Sequence, residues 1–167
     1  MIFGGKMKYR YDSKKYFIKV IFSSVFISFL MIYAIIKNIM NFNINIYTFI
    51  IIASLYELFN IYIAMCKPVE IELNDESLSF RAFNKEQKYE IKDMKYMMTK
   101  ELANRKLYLR INNYNLCRGR YWIDTKSYEN NQELYINLME LERKINPNQL
   151  KYNSRRRVKE VKTQAVK

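Results

Sequence analysis

Two long apolar runs lie close together near the start of this chain, and they constrain it more than any other feature. Residues 20–36 (VIFSSVFISFLMIYAII) carry no charge, and residues 46–66 (IYTFIIIASLYELFNIYIAMC) carry one, Glu57. A helix rises about 1.5 Å per residue, so about 20 such residues span the roughly 30 Å hydrocarbon core of a bilayer. The nine residues between the runs, KNIMNFNIN, hold four asparagines and suit a solvated turn. The pattern predicts a transmembrane helical hairpin over residues 16–66, with helices at about 16–36 and 46–66.

Charge sets the expected orientation. The 167 residues carry a net charge of +13, unevenly spread. Residues 1–20 contribute +5, residues 21–66 nothing, residues 67–150 only +2, and residues 151–167 the remaining +6. Lys6, Lys8, Arg10, Lys14, Lys15 and Lys19 precede the first helix, whereas the turn offers only Lys37. Positive residues stay inside, so both termini are expected to be cytoplasmic in a multi-pass protein of the cell membrane. A basic stretch before an apolar run also fits a signal peptide. The run is long for that, lacks a small-x-small site after Ile36, and is followed by a second run, so we read an anchor rather than a cleaved signal. Residues 1–15 read as a loosely ordered basic segment. Lys19 is placed to snorkel, and Tyr16, Tyr47 and Tyr62 to anchor at the interfaces.

Glu57 is the one charge inside the second run. Helical spacing puts Ser54, Glu57 and Asn60 on one face, and folding the hairpin about Asn41 places Glu57 near Ser24 and Ser28. A carboxyl at that depth costs on the order of 3 kcal/mol to insert. Two readings follow: a proton- or ligand-responsive group, or a protonated Glu that glues the hairpin or a homo-oligomer through the serines. The second is the simpler.

After Lys67-Pro68, which ends the second helix, the period changes. Val69, Ile71 and Leu73 alternate with Glu70 and Glu72, as a half-buried strand does. Further alternating stretches follow around Leu78–Ala82, Tyr89–Ile91, Tyr96–Leu102, Leu107–Ile111 and Leu116–Ile123, separated by polar turns, which predicts an antiparallel meander. Leu134, Leu138, Leu141 and Ile145 then form one helical stripe fit to cover a sheet, with Asn130 and Glu133 spaced as a capping box. The expected fold class is therefore a membrane α-helical hairpin plus an α+β domain over residues 67–150, a bent antiparallel sheet capped by a C-terminal helix. Residues 151–167 read as a basic, disordered tail.

Catalytic chemistry is hard to assemble from these residues. The chain has no histidine, which removes the commonest general base and zinc ligand. Asp75 with Glu76 falls in a turn, and Glu140 with Glu142 on a helix surface. There is no glycine-rich phosphate loop, so neither an enzyme nor a cofactor is expected. Cys66 and Cys117 form no paired motif, and a disulfide between them is not expected. Arg118-Gly119-Arg120-Tyr121-Trp122 mixes cations with aromatics as nucleic-acid surfaces do. Its domain is near neutral, however, so the preferred reading is a strand with Tyr121 and Ile123 inward and solvated arginines. The expected partners are anionic lipids of the inner leaflet, met by Lys14, Lys15, Lys19, Arg155, Arg156, Arg157 and Lys159 at roughly 1 kcal/mol per residue, and a protein still to be identified.

Two helices, then VEIELNDESLSF, YEIKDMKYM, KLYLRI and the closing GRYWIDTKSYENNQELYINLMELERKI, together resemble small bacterial membrane proteins with a pleckstrin-homology-like (PH-like) domain. The resemblance implies a strongly bent sheet of seven strands closed at one end by the helix. Lipid-headgroup recognition at the first strand-to-strand loop does not carry over, because here that loop is the acidic Asn74-Asp75-Glu76-Ser77. The function expected is a non-enzymatic, membrane-anchored interaction or regulatory module. Two alternatives stand beside it: an immunity protein against a membrane-active bacteriocin, by analogy with members of that family, and an oligomeric proton-sensing or channel-like protein built around Glu57.

Overall fold

The computed structural model describes residues 5–40, 45–112 and 116–147. The basic tail, with Arg155, Arg156, Arg157 and Lys159, lies outside the described residues. Two helices come first among the long elements: α1 (Ser13–Met40, 28 residues) and α2 (Ile46–Ile63, 18 residues). Both are long and apolar enough to cross a membrane, and only 17% of each apolar window is buried. Helix α1 runs beyond the expected 16–36 because Asp12 caps it, accepting from the backbone N–H groups of Lys14 and Lys15 at 2.9 and 3.1 Å. Asn45 caps α2 in the same way through the Tyr47 N–H at 2.9 Å. Near the turn, Thr48 Oγ1 donates to Asn38 Oδ1 at 3.2 Å and ties the two helices together. Small buried residues, Ser24, Ala34 and Ser54, let the helices approach closely.

Both helices widen to π-type turns at the end away from the Asn45 turn, at Phe17–Phe22 and Phe59–Ile63. Helix α2 then stops at Ile63 rather than at Cys66. The Ala64 N–H bonds back to Phe59 O, the Cys66 N–H to Asn60 O, both at 2.9 Å, and Met65 turns left-handed with φ 52°. The helix has thus unwound before Lys67-Pro68 is reached.

Residues 1–15 are not uniformly loose. Met7–Arg10 forms strand β1 and pairs antiparallel with β2 (Glu70–Leu73), with Tyr9 opposite Ile71. The helical hairpin is therefore an insertion between two adjacent strands. Strands β3 (Ser77–Ala82) and β4 (Lys85–Glu90) extend the sheet in the order β1-β2-β3-β4. A second antiparallel sheet, β5-β6-β7, comprises Met97–Leu102, Lys106–Ile111 and Arg120–Asp124. The expected single bent sheet is thus two sheets, of four and three strands, with no closed barrel.

The sheets face each other across one core. Ile71, Leu78 and Phe80 of the first meet Leu109, Tyr121 and Ile123 of the second, and the Phe80 and Tyr121 rings stack 3.7 Å apart at 16°. Helix α3 (Asn131–Ile145) closes the core with Leu134, Leu138 and Leu141, all fully buried. The anticipated capping box does not form: Asn130 is left-handed at φ 51° and its side chain makes no cap bond. Nor is Glu142 on the surface. It is fully buried, accepting from the Thr99 N–H at 2.9 Å and from the Thr99 hydroxyl. Before β7, Gly119 has φ +79° and an added Cβ would lie 2.4 Å from Ile111 O, so only glycine fits.

The β1–β2 ladder is also an electrostatic seam. Glu70 takes Lys8 at 2.9 Å, Arg10 at 3.3 Å and Arg81 at 3.2 Å, while Lys6 meets Glu72 at 2.7 Å. Burial alone would raise the Glu70 carboxyl, but Lys8, Arg10 and Arg81 together hold it below the ordinary 4.5. A depressed folded-state pKa stabilises the fold above the unfolded-state value, and the contribution is lost as pH falls through the folded value. Thermal unfolding of the detergent-solubilised chain is expected to show stability falling below about pH 4.5, with Glu70→Gln flattening that acid limb. An unchanged limb in Glu70→Gln would remove the seam from the stability of the fold.

Candidate functional site at the base of the hairpin

The unwound end of α2, the start of α1 and the edge of the second sheet converge on one junction. The Trp122 N–H donates to Cys66 O at 2.6 Å, so the linker after α2 lies along the free edge of β7. Tyr16 Oη donates to Lys67 O at 3.3 Å, and the Tyr62 and Phe83 rings lie 5.0 Å apart. Two cations bridge the halves. Lys19 Nζ sits 2.7 Å from Asp124 Oδ2 and 3.1 Å from Ser127 Oγ, and Arg120 Nη2 donates to Asn60 Oδ1 at 3.2 Å. Burial alone would raise the Asp124 carboxyl, but Lys19 and the Ser127 hydroxyl outweigh it and hold the group low.

The residues of the expected intramembrane polar cluster do not gather in one place. Glu57 pairs with Lys67 Nζ at 2.5 Å rather than with the serines. Asn60, 7% exposed, serves Arg120 and the Cys66 thiol. Ser24 Oγ meets Tyr62 Oη at 2.8 Å and Ile21 O at 2.8 Å, and Ser28 donates to its own helix at Ser24 O. Ser54 is buried, 5% exposed, on α2. Of the expected lipid-contacting residues, Lys14 and Lys15 are exposed in the first turn of α1, and Lys19 turns toward Asp124.

Between α1 and strands β6 and β7 lies an open groove of about 580 Å³. Ile18 and Trp122 form its apolar walls, and Lys19, Lys67, Lys106 and Asp124 its polar rim. Trp122 is half-exposed, its ring 4.8 Å from that of Tyr108. Sequence alone singles out neither Lys67 nor Lys106 as a site residue, and it offers Trp122 only within the cation–aromatic run 118–122. The available signal was Lys67, which closes the second apolar run as Lys19 opens the first. Among the described residues no group of three or more His, Cys, Asp or Glu side chains is arranged to hold a metal ion. Both cysteines are free, Cys66 buried and Cys117 exposed. The junction sets fixed cations beside apolar surface. Comparison with protein-family models, with curated proteins and with solved structures finds no match for this chain.

Proposed function

We propose that this chain is an integral membrane protein whose hairpin crosses the bilayer and holds a PH-like module on the cytoplasmic face, where it recruits or regulates a protein partner without catalysing a reaction. One observation carries the reading. The hairpin turns its apolar side chains outward, with Phe26, Phe29, Phe49 and Ile52 each 60–68% exposed. A core helix of a soluble protein buries such residues, and monomers rarely expose apolar patches beyond a few hundred Å². A cleaved signal fits poorly as well, since removing α1 would take β1, and with it the core residue Tyr9, out of the first sheet.

Topology supports a single side for the module. Strands β1 and β2 flank the hairpin and pair with each other, and the Tyr11 N–H bonds to Val69 O at 2.8 Å. Both ends of the hairpin therefore return to one face. Lys14, Lys15, Lys19 and Lys67 cluster at that face, against Lys37 toward the turn, as the positive-inside rule requires of the cytoplasmic side. Glu57 takes a structural role in this reading, bonded to Lys67 at the base of α2.

Cys117 is a native reporter of topology, because it is exposed on the module while Cys66 is buried. A membrane-impermeant maleimide is expected to leave intact cells unlabelled and to modify Cys117 once the membrane is permeabilised. Labelling of intact cells, or recovery of the chain in the supernatant after ultracentrifugation without detergent, would overturn the reading.

A further inference from the structure

The groove at the junction is not needed to explain the anchor, and its composition is specific. Its wall at Ile18, 63% exposed, continues along α1 into Phe22, 62% exposed, so it opens onto the same apolar surface that faces lipid in the proposed function. Opposite stands Trp122, an amphipathic ring of the type that settles at headgroup level. The rim charges are unequal in their commitments. Lys19 is matched by Asp124 and Lys67 by Glu57. Lys106 faces Asp124 across the β6–β7 ladder, is exposed, and has no ion-pair partner within 4.0 Å among the described residues. Asp124 feels Lys106 as well as Lys19, so three lysines share the two carboxylates Asp124 and Glu57, and the groove joins an apolar wall to a rim with one net positive charge. That combination matches the phosphodiester and acyl chain of one lipid better than a soluble anion, which has no use for the wall.

We propose that this groove seats one anionic phospholipid of the cytoplasmic leaflet, its headgroup phosphate against Lys106 and an acyl chain between Ile18 and Trp122. The assignment rests on the membrane reading above and adds a defined lipid site to it. Docking the module against a particular lipid class would couple its position to the composition of the leaflet.

The sole tryptophan makes the test direct. The full chain is reconstituted in mixed phosphatidylcholine–phosphatidylglycerol vesicles, with brominated acyl chains on one lipid or the other at equal mole fraction. Brominated phosphatidylglycerol is expected to quench Trp122 with about fivefold higher apparent association, the factor expected for one lysine at an anionic surface. Lys106→Glu and Lys106→Gln should abolish the preference and Lys106→Arg should keep it. Equal quenching by both lipids, or a preference unchanged in both charge-removing variants, would overturn the site. Equal quenching that falls as protein density rises would assign the groove to a second copy of the chain. A chain that floats with the vesicles but is quenched by neither lipid loses the site and keeps the anchor, whereas one that does not float loses both.

Discussion

Tyr9→Ala is expected to destabilise the β module by about 3–5 kcal/mol, the range for truncating a buried large aromatic. Tyr9 is 1% exposed and faces Ile71 across the ladder, and its hydroxyl accepts from Asn137 Nδ2 of α3 at 2.7 Å. Tyr9→Phe keeps the ring and loses that bond, for about 1 kcal/mol. The measurement is denaturant unfolding of the detergent-solubilised chain followed by near-ultraviolet circular dichroism. A residue in a loose basic tail would change stability by less than about 0.5 kcal/mol. An unmoved midpoint in Tyr9→Ala would therefore reduce β1 to such a tail and remove the argument that both hairpin ends share one side.

The second large effect is expected at Tyr121, where the two sheets meet. Its ring is fully buried against Phe80, and its hydroxyl donates to Gln87 Oε1 at 2.6 Å and lies 2.8 Å from Tyr89 Oη. Strand β7 is thus held to β3 by stacking and to β4 by hydrogen bonds. Tyr121→Ala should cost about 3–5 kcal/mol, and Tyr121→Phe about 1 kcal/mol. A double-mutant cycle of Tyr121→Leu with Phe80→Leu should show a coupling of about 0.5–1.5 kcal/mol from the paired rings. Zero coupling would mean that the two sheets are held by area alone.

What could be read from sequence was whatever depends on long or strictly periodic patterns. Two charge-poor stretches announced the hairpin, alternation announced β2 and its successors, and the spacing of Leu134, Leu138 and Leu141 announced the buried face of α3. The inward Tyr121 and Ile123 followed from the same alternation. Short and non-local features were not legible. Strand β1 has four residues, and Arg10 meets Glu70 sixty positions away, a pairing no local window contains. An unbroken helix to Cys66 would place Glu57 near Ser24 and Ser28 across the hairpin. The early unwinding at Ile63 instead folds Lys67 back onto it. Spacing along α3 puts Glu142 on a solvated face because it says nothing of β5, whose Thr99 covers it. Asn130 has the right side chain for a cap, but its left-handed backbone carries that side chain away. The groove beside Trp122 draws on α1, the linker and two strands, so no single stretch could reveal it.

The insertion of the hairpin between β1 and β2 has a consequence for biogenesis. Strand β1 leaves the ribosome before either helix, yet its only route into the sheet waits for β2, made after both. Closing a flexible loop of that length costs about 3–4 kcal/mol in chain entropy, and a hairpin already assembled removes most of it by bringing its own ends together. In the proposed membrane orientation, a hairpin that threads only one helix would leave β1 and β2 in different compartments, with Tyr9 missing from the core and Glu70 without Lys8 and Arg10. Pairing of β1 with β2 in that orientation therefore requires that both helices be inserted.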